Sequence, residues 1–147
     1  MSKYPVLKRN AAKFDGNGIR VRYGGCSCGA VRFEVRGAPT KVGICHCMEC
    51  RKATGAVYVS YADWPRRAFV SSGEAGQFRG RSFCPICGSR LFHISESEVE
   101  VMMGALDEGP GDLTPTREGW IKRREHWLTP VADADQFDED PAPATQP

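Results

Sequence analysis

Apolar and polar residues alternate along much of this chain. Within Ala30–Val35, three apolar side chains fall on one face, whereas Arg32 and Glu34 fall on the other. A period of two is what a half-buried β-strand requires. Similar runs, rich in β-branched and aromatic residues, occupy 19–23, 41–45, 56–61, 68–71, 77–79, 89–94, 99–103 and 119–123. The pattern therefore predicts an all-β fold of short strands.

Residues that favour turns separate these runs. Glycine, proline and serine pairs mark the breaks at 24–25, 37–39, 72–73 and 109–111. The pair Asp63-Trp64 before Pro65 is interpreted in the same way, as a turn. One short helical segment is predicted over His46–Thr54, where the alternation stops.

The length of 147 residues is that of a single domain. The predicted strands begin at residue 19, and we expect the folded domain over 19–130. Residues 1–15 do not continue the strand pattern, and 131–147 are acidic and rich in proline and alanine. Both termini are therefore predicted to be flexible.

Seven cysteines are unusual in a chain of this composition. The first residues lack the apolar segment of a secretory signal, and no run of roughly 18 apolar residues could span a membrane. We therefore expect a cytoplasmic protein that does not bind membranes. Disulfides are rare in that reducing compartment, and an odd number of thiols cannot all pair within one chain. The cysteines are accordingly predicted to bind metal.

The charges are unevenly distributed. Residues 1–90 carry 16 Lys+Arg against 5 Asp+Glu, whereas 91–147 carry 4 against 13, although the net charge is only +2. A basic excess can attract nucleic acid or an acidic small molecule, but two opposite halves can also pack and neutralise each other. Thiolate-bound zinc would add negative charge. Nucleic acid is therefore not expected as a partner.

The motif Cys84-Pro-Ile-Cys87-Gly88 is the most specific local signal. Two thiolates at this spacing project into a common space, and the glycine permits a left-handed backbone after the second ligand. Such a knuckle supplies two of the four ligands of a tetrahedral zinc. Cys26 and Cys28, also followed by a glycine, fit as the other pair and would complete a closed structural site.

This division leaves Cys45, Cys47 and Cys50. Three protein ligands and one open position are the pattern of a catalytic zinc. His46 is a possible fourth ligand, but adjacent residues of an extended segment face opposite ways, which favours a packing role. The spacing also allows two alternatives: the Cys84 knuckle could combine with two of the middle cysteines, or both zinc ions could be structural.

The other two histidines are interpreted as packing residues. His93 follows Phe92 and His126 precedes Trp127, and a histidine beside an aromatic residue is more often a core or surface packing residue than a ligand. The sequence therefore predicts two zinc ions per chain, bound entirely through the seven cysteines.

Three ordered motifs carry a resemblance to a known family. They are Gly24-Gly-Cys-Ser-Cys-Gly-Ala30, Cys45-His-Cys-Met-Glu-Cys-Arg-Lys-Ala-Thr-Gly55 and Phe83-Cys-Pro-Ile-Cys-Gly-Ser89. Together they resemble the glutathione-dependent formaldehyde-activating enzymes, a family that also includes centromere protein V. The resemblance spans about 20–128 and implies an Mss4-like fold, with several small coiled antiparallel β-sheets around two zinc sites.

The resemblance assigns Cys26, Cys28, Cys84 and Cys87 to the structural zinc and Cys45, Cys47 and Cys50 to the catalytic zinc. It implies a carbon–sulfur lyase that forms or cleaves S-(hydroxymethyl)glutathione, with a small thiol such as glutathione as its partner. The alternative is a non-catalytic zinc module that binds a partner or nucleic acid through its basic half.

Contacts to the substrate are less clearly marked in the sequence. The loops between Tyr61 and Cys84 are short, and Arg51 and Lys52 are candidates because they are cations next to Cys50. Both could equally form a solvated basic turn. No general base is identifiable from the sequence.

Overall fold

The computed structural model describes residues 10–109 and 111–141. Its strands are β1 (Lys13–Phe14), β2 (Arg20–Gly25), β3 (Arg32–Arg36), β4 (Lys41–Cys45), β5 (Val59–Pro65), β6 (Phe69–Ser72), β7 (Gly76–Phe78), β8 (Arg81–Phe83), β9 (Arg90–Ile94), β10 (Glu98–Met102), β11 (Arg117–Gly119) and β12 (Asp135–Gln136). One α-helix, α1, spans Met48–Thr54, and 3-10 helices span Arg66–Ala68, Met103–Ala105 and Ile121–Arg123. The predicted all-β fold is confirmed.

The described residues form two compact units. Unit 1 contains those up to Lys41 together with Tyr61–Asp112, and unit 2 contains Val42–Ser60 together with those from Leu113 onward. Each unit is thus assembled from two separate chain segments. The only α-helix of the described residues has seven residues and is too short to cross a membrane.

Unit 1 contains two antiparallel arrangements of strands. One has the order β1-β2-β3-β6, and the other runs from the Tyr61–Pro65 part of β5 through β10, β9 and β8 to β7. Gly24 lies opposite Phe33 and Val101 opposite Phe92, and the register of β8 with β9 shifts between Ser82 and Phe83. The alternating faces predicted from the sequence are present in β3, where Phe33 and Val35 are buried and Arg36 is exposed.

Aromatic residues fill the core of unit 1. The rings of Phe33, Phe69 and Phe92 contact one another, with centroids 4.9 to 5.9 Å apart. Such clusters stabilise a core beyond the effect of burial alone. Trp64 is fully buried, and its indole N–H donates to the Gly37 carbonyl at 3.1 Å.

The predicted turn at Asp63-Trp64 is therefore wrong. Both residues lie inside β5, which continues to Pro65. Ala62, Asp63 and Trp64 are buried in succession, whereas the turn was predicted from the proline that follows them. Proline is compatible with the end of a strand, where its missing N–H costs little.

Two strand pairings in unit 2 are parallel. Gly43, Ile44 and Cys45 of β4 lie opposite Arg117, Glu118 and Gly119 of β11, and β12 pairs with the other side of β11. The antiparallel pairing implied by the resemblance is present in unit 1, whereas these two pairings are parallel. The pairing brings Glu118 next to the end of β4.

The predicted strand over 119–123 is also corrected. β11 ends at Gly119, Trp120 adopts a left-handed backbone with φ of 56°, and a 3-10 helix follows. A non-glycine residue in this region ends strand geometry and is strained. The indole N–H of Trp120 donates to Asp140 at 2.7 Å.

The described part of the predicted C-terminal tail contains a short strand. β12 lies within residues 131–141, and the amide of Trp120 donates to the Glu139 carbonyl at 3.1 Å. The remaining residues of the predicted tail, 142–147, lie outside the described residues. The predicted flexible N-terminus overlaps β1, and its residues 1–9 also lie outside the described part.

Ion pairs join the basic and acidic parts of the sequence. In unit 1 these pairs are Arg20 with Glu108, Arg22 with Asp112, Arg32 with Asp107 and Lys41 with Glu98. In unit 2, Arg51 pairs with Glu125. The charge asymmetry of the sequence is thus compensated in part inside each unit.

Candidate metal centres

Four cysteines converge in unit 1 and are called the first cluster: Cys26, Cys28, Cys84 and Cys87. Their Sγ atoms all lie within 4.8 Å of one another. The Cys28 sulfur is 3.5 Å from that of Cys26 and 3.6 Å from that of Cys84. Sulfur atoms bound to one tetrahedral zinc, at bonds of about 2.3 Å, are separated by about 3.8 Å. The first cluster therefore fits a tetrahedral ion with four sulfur ligands.

Two similar turns present these sulfurs. The amide of Gly29 donates to the Cys26 carbonyl at 3.1 Å, and that of Gly88 donates to the Cys84 carbonyl at 2.8 Å. Both glycines have a left-handed φ, 80° and 75°, which explains why each motif contains a glycine at this position. The Cys26 sulfur also accepts from the Val31 amide at 3.2 Å.

The other three cysteines converge in unit 2 and are called the second cluster: Cys45, Cys47 and Cys50. Cys45 ends β4, Cys47 is the N-cap of α1, and Cys50 lies in the first turn of that helix. The Cys47 sulfur accepts from the Cys50 amide at 3.3 Å. All three sulfurs lie within 4.8 Å of one another, and they are partly exposed.

The two clusters differ in the number of their ligands. Among the residues that the structure describes, no histidine, carboxylate or further cysteine joins the three sulfurs of the second cluster. Three sulfurs fit one face of a tetrahedral ion and leave its fourth position for another ligand. The first cluster, in contrast, can supply all four.

The crowded thiols of the second cluster influence each other's ionisation. A hydrogen bond from the Cys50 thiol lowers the pKa of Cys45 to about 6, and the same contact raises the pKa of Cys50. Burial raises the pKa of Cys47. One sulfur therefore ionises easily while its neighbours retain protons. A metal ion must displace those protons, so its binding strengthens as the pH rises.

His46 lies between two cysteines in sequence but belongs to neither cluster. Its side chain is buried, with Nε2 3.3 Å from Glu118 Oε1 and its ring centroid 5.7 Å from that of Tyr58. Burial lowers the pKa of His46 despite the nearby carboxylate. The imidazole is therefore neutral at pH 7.

Glu118 is the residue that sequence reasoning missed. Its side chain is 2% exposed, and Oε2 accepts from Arg124 Nη2 at 2.9 Å, Gln136 Nε2 at 2.8 Å and the Val131 amide at 3.1 Å. Burial alone would raise the pKa of Glu118, but the bonds from Gln136, Val131 and His46 and the charge of Arg124 lower it. The carboxylate is therefore ionised and accepts from every neighbour.

The remaining predicted residues are not members of either cluster. Arg51 donates to Glu125 at 2.6 Å and to the Arg123 carbonyl at 3.2 Å, so its guanidinium holds α1 to a later segment of unit 2. Lys52 is exposed on α1. His93 and His126 contribute to neither group of sulfurs; burial, together with Arg90 and Arg81, lowers the pKa of His93.

The sequence matches a model of a known protein family. A family model described as Glutathione-dependent formaldehyde-activating enzyme matches residues 21–123. The matched segment includes all seven cysteines, together with His46 and Glu118.

Proposed function

The chain belongs to the glutathione-dependent formaldehyde-activating enzyme family, and from this premise we propose that it is a carbon–sulfur lyase. The proposed reaction joins a small thiol, glutathione in the first instance, to formaldehyde and also reverses that step. The second cluster is the proposed site. The observation that carries this proposal is its set of three mutually close sulfurs, one fewer than a closed tetrahedral site requires.

We assign zinc to both clusters, because an all-sulfur donor set suits this ion. Cys26, Cys28, Cys84 and Cys87 would hold a structural ion, and Cys45, Cys47 and Cys50 a catalytic one. When bound at the second cluster, zinc supplies a coordination position for a fourth ligand and stabilises the thiolate form of a thiol at neutral pH.

The reaction balances without an oxidant or reductant. The substrate sulfur forms a bond to the carbonyl carbon of formaldehyde, and the carbonyl electron pair moves to oxygen. The proton lost by the thiol ends on that oxygen, which gives S-(hydroxymethyl)glutathione. In the reverse direction the carbon–sulfur bond breaks, the hydroxyl proton returns to sulfur, and formaldehyde leaves.

The chain's own residues would position the reactants. The partly exposed sulfurs of the second cluster leave the site open to solvent and to a small thiol. Lys52, exposed two residues after Cys50, is the candidate cation for a glutathione carboxylate. Arg51 donates a hydrogen bond to Glu125 and so holds α1 in place.

The test is exchange spectroscopy on the zinc-loaded protein. Magnetisation exchange between formaldehyde plus glutathione and their adduct should be faster with enzyme than in buffer. Cys47→Ser, which retains the first cluster, serves as the matched control and should give the rate in buffer. Exchange no faster than in buffer, with zinc bound at both clusters, would contradict the proposed enzymatic function.

Thiol binding can be measured separately after cobalt is substituted into the second cluster. Glutathione should intensify and shift the sulfur-to-metal charge-transfer band, whereas S-methylglutathione should change it much less because it cannot form a thiolate. A spectrum that does not respond to any thiol would count against the second cluster as the substrate site.

A further inference from the structure

We propose that Glu118 is a positioning residue for the second cluster, acting through His46 to fix the turn that carries Cys45 and Cys47. This inference depends on the proposed function only in that the second cluster binds a metal ion. Two independent sets of contacts, one of the backbone and one of the side chains, lead to it.

The backbone contacts join β11, which contains Glu118, to β4, which ends just before His46. Glu118 lies opposite Ile44 and Gly119 opposite Cys45 in the parallel pairing of β11 with β4. Immediately after β4 ends, the His46 amide donates to the Gly119 carbonyl at 3.1 Å. The Glu118–Gly119 segment therefore holds the backbone between the first two cysteines of the second cluster.

The side-chain contact fixes the orientation of the imidazole. A carboxylate is only an acceptor, so His46 donates through Nε2–H to Glu118 Oε1 at 3.3 Å. Both side chains are 2% exposed. His46 Nδ1 has no hydrogen-bond partner among the described residues, so Glu118 makes the one hydrogen bond that orients the ring.

That orientation has a consequence for the cysteines. Cys47 has an extended backbone, with φ of −62° and ψ of 157°, and side chains alternate in direction along an extended segment. With the ring of His46 held against Glu118 and Tyr58, the sulfurs of Cys45 and Cys47 are directed together to the other side.

Glu118 can serve as a fixed point because its second oxygen is already engaged. Arg124, Gln136 and the Val131 amide all donate to Oε2, which prevents the carboxylate from rotating. Partners that orient ligands from outside the coordination sphere typically change metal affinity by about 10–100-fold when they are removed.

The experiment measures metal release from the zinc-loaded protein to a chromogenic chelator. The two clusters should give two phases, assigned with Cys47→Ser. The first-cluster phase reports on loosening of unit 1, and the control variant described below reports on loosening of unit 2. His46→Phe keeps an aromatic ring near Tyr58 but removes the donor. It should release second-cluster zinc about tenfold faster and leave first-cluster release unchanged.

Glu118→Gln is the complementary variant. Four donors converge on the carboxylate, whereas an amide offers a single oxygen, so its NH₂ group must face one of those donors. Three of the four donors converge on Oε2, so the amide oxygen is best placed there and the NH₂ group then faces His46. The neutral imidazole can accept from that group only as its other tautomer, which leaves Nδ1–H as a buried donor without a partner among the described residues. Second-cluster release should therefore accelerate as in His46→Phe, and the double variant should be no faster than the faster single one, because both changes act on one contact.

Gln136→Ala is the matched control. It removes one donor to Oε2 and leaves the His46 contact in place, so second-cluster release should stay within about twofold of the wild type. Charge-transfer spectra of the cobalt forms provide a second measurement, in which only the His46 and Glu118 variants should shift the second-cluster band.

Three results would overturn the proposal. The first is an unchanged rate of zinc release from the second cluster in His46→Phe. The second is equally accelerated zinc release from both clusters in Glu118→Gln. The third is a double variant whose rate increase equals the product of the two single increases. Failure of the proposed function would look different, because it would appear in the wild type as exchange no faster than in buffer despite a loaded second cluster.

Discussion

The Ser27 amide donates to the Ser89 hydroxyl at 3.0 Å. Ser27 lies between Cys26 and Cys28, and Ser89 follows the second cysteine pair of the first cluster by two residues. The same hydroxyl lies 3.2 Å from Cys87 Sγ. Burial opposes ionisation of Cys87, but the hydrogen bonds from Ser89 lower its pKa to about 6. Ser89 thus joins the turn of Cys26 and Cys28 to that of Cys84 and Cys87 and favours the thiolate form of Cys87, although it supplies no ligand.

We predict that Ser89→Ala accelerates zinc release from the first cluster by about tenfold. The variant loses one hydrogen bond to sulfur and one between the two turns, while the four cysteines remain. Chelator-release kinetics would measure the effect, with Ser71→Ala, an exposed serine of β6, as the control. Equal release rates in the two variants would rule out this role for Ser89.

The two clusters should differ in their importance for folding. Structural zinc in small domains contributes about 10–16 kcal/mol of apparent binding free energy, comparable with the total stability of a domain at roughly 5–15 kcal/mol. We therefore predict that Cys84→Ser, at a fully buried position, yields insoluble or unfolded chain. Cys47→Ser should fold and retain one zinc.

Metal analysis and circular dichroism would check this pair of variants. The wild type, purified without chelator, should contain close to two zinc ions per chain. If Cys47→Ser proved as insoluble as Cys84→Ser, the separate assignment of structural and catalytic clusters would be wrong.

Arg51 and Lys52 are adjacent cations with different predicted effects. Lys52→Met should raise the KM for glutathione about two- to fivefold with kcat unchanged, because it removes an exposed charge that binds substrate and transition state alike. The KM for uncharged 2-mercaptoethanol should not change. An equal rise for both thiols would show that Lys52 does not recognise the carboxylates.

Arg51→Met should instead affect stability. It breaks the pairing with Glu125, in which both side chains are about a quarter exposed, and the expected loss is about 1 kcal/mol or a Tm lower by about 3 °C. Differential scanning calorimetry would measure it. A raised KM for glutathione with an unchanged Tm would instead identify Arg51 as a residue that binds the substrate.

The pair formed by Arg22 and Asp112 should make stability depend on pH. Arg22 is 7% exposed, and its Nη2 donates to Asp112 Oδ2 at 3.0 Å. Burial would raise the pKa of Asp112, but the hydrogen bond and charge of Arg22 lower it. Because the folded-state pKa is depressed, the stabilisation is complete above the ordinary value of 3.8 and disappears as the pH falls through the folded-state value.

We predict that Asp112→Asn lowers the free energy of unfolding by about 1 kcal/mol at neutral pH, a reduced figure because Asp112 is half exposed. The difference from wild type should vanish in acid. Denaturant titrations at matched pH values would measure it, with Glu74→Gln, an exposed carboxylate, as the control. A difference independent of pH would contradict the ionic origin.

The cysteine clusters could be predicted because their ligands are arranged locally in the sequence. Pairs such as Cys26 with Cys28 and Cys84 with Cys87 limit the sulfur separation by backbone geometry alone, and the structure brings them together. The strands could be predicted wherever one face is buried and the other is exposed, as in β3. The turn predicted at Asp63-Trp64 is wrong because Pro65, which favours a turn, is here the last residue of β5.

Glu118 could not be found in this way. A glutamate usually marks the surface, and here it is buried only because four donors converge on its carboxylate. One of them, His46, is 72 residues away in sequence. The parallel strands that bring them together are short; β11 has three residues and β12 only two. No local sequence pattern indicates such a long-range contact.

The assembly of unit 2 from two distant segments has a consequence for biosynthesis. A ribosome adds about 5–20 residues per second, so the 72 residues that separate His46 from Glu118 take roughly 4–14 seconds to synthesise. Cys26 and Cys28 precede His46, and Cys84 and Cys87 are added within that interval. A nascent chain stalled before Glu118 would therefore already contain all four cysteines of the first cluster, while Cys45, Cys47 and Cys50 would still lack the strand that supports them.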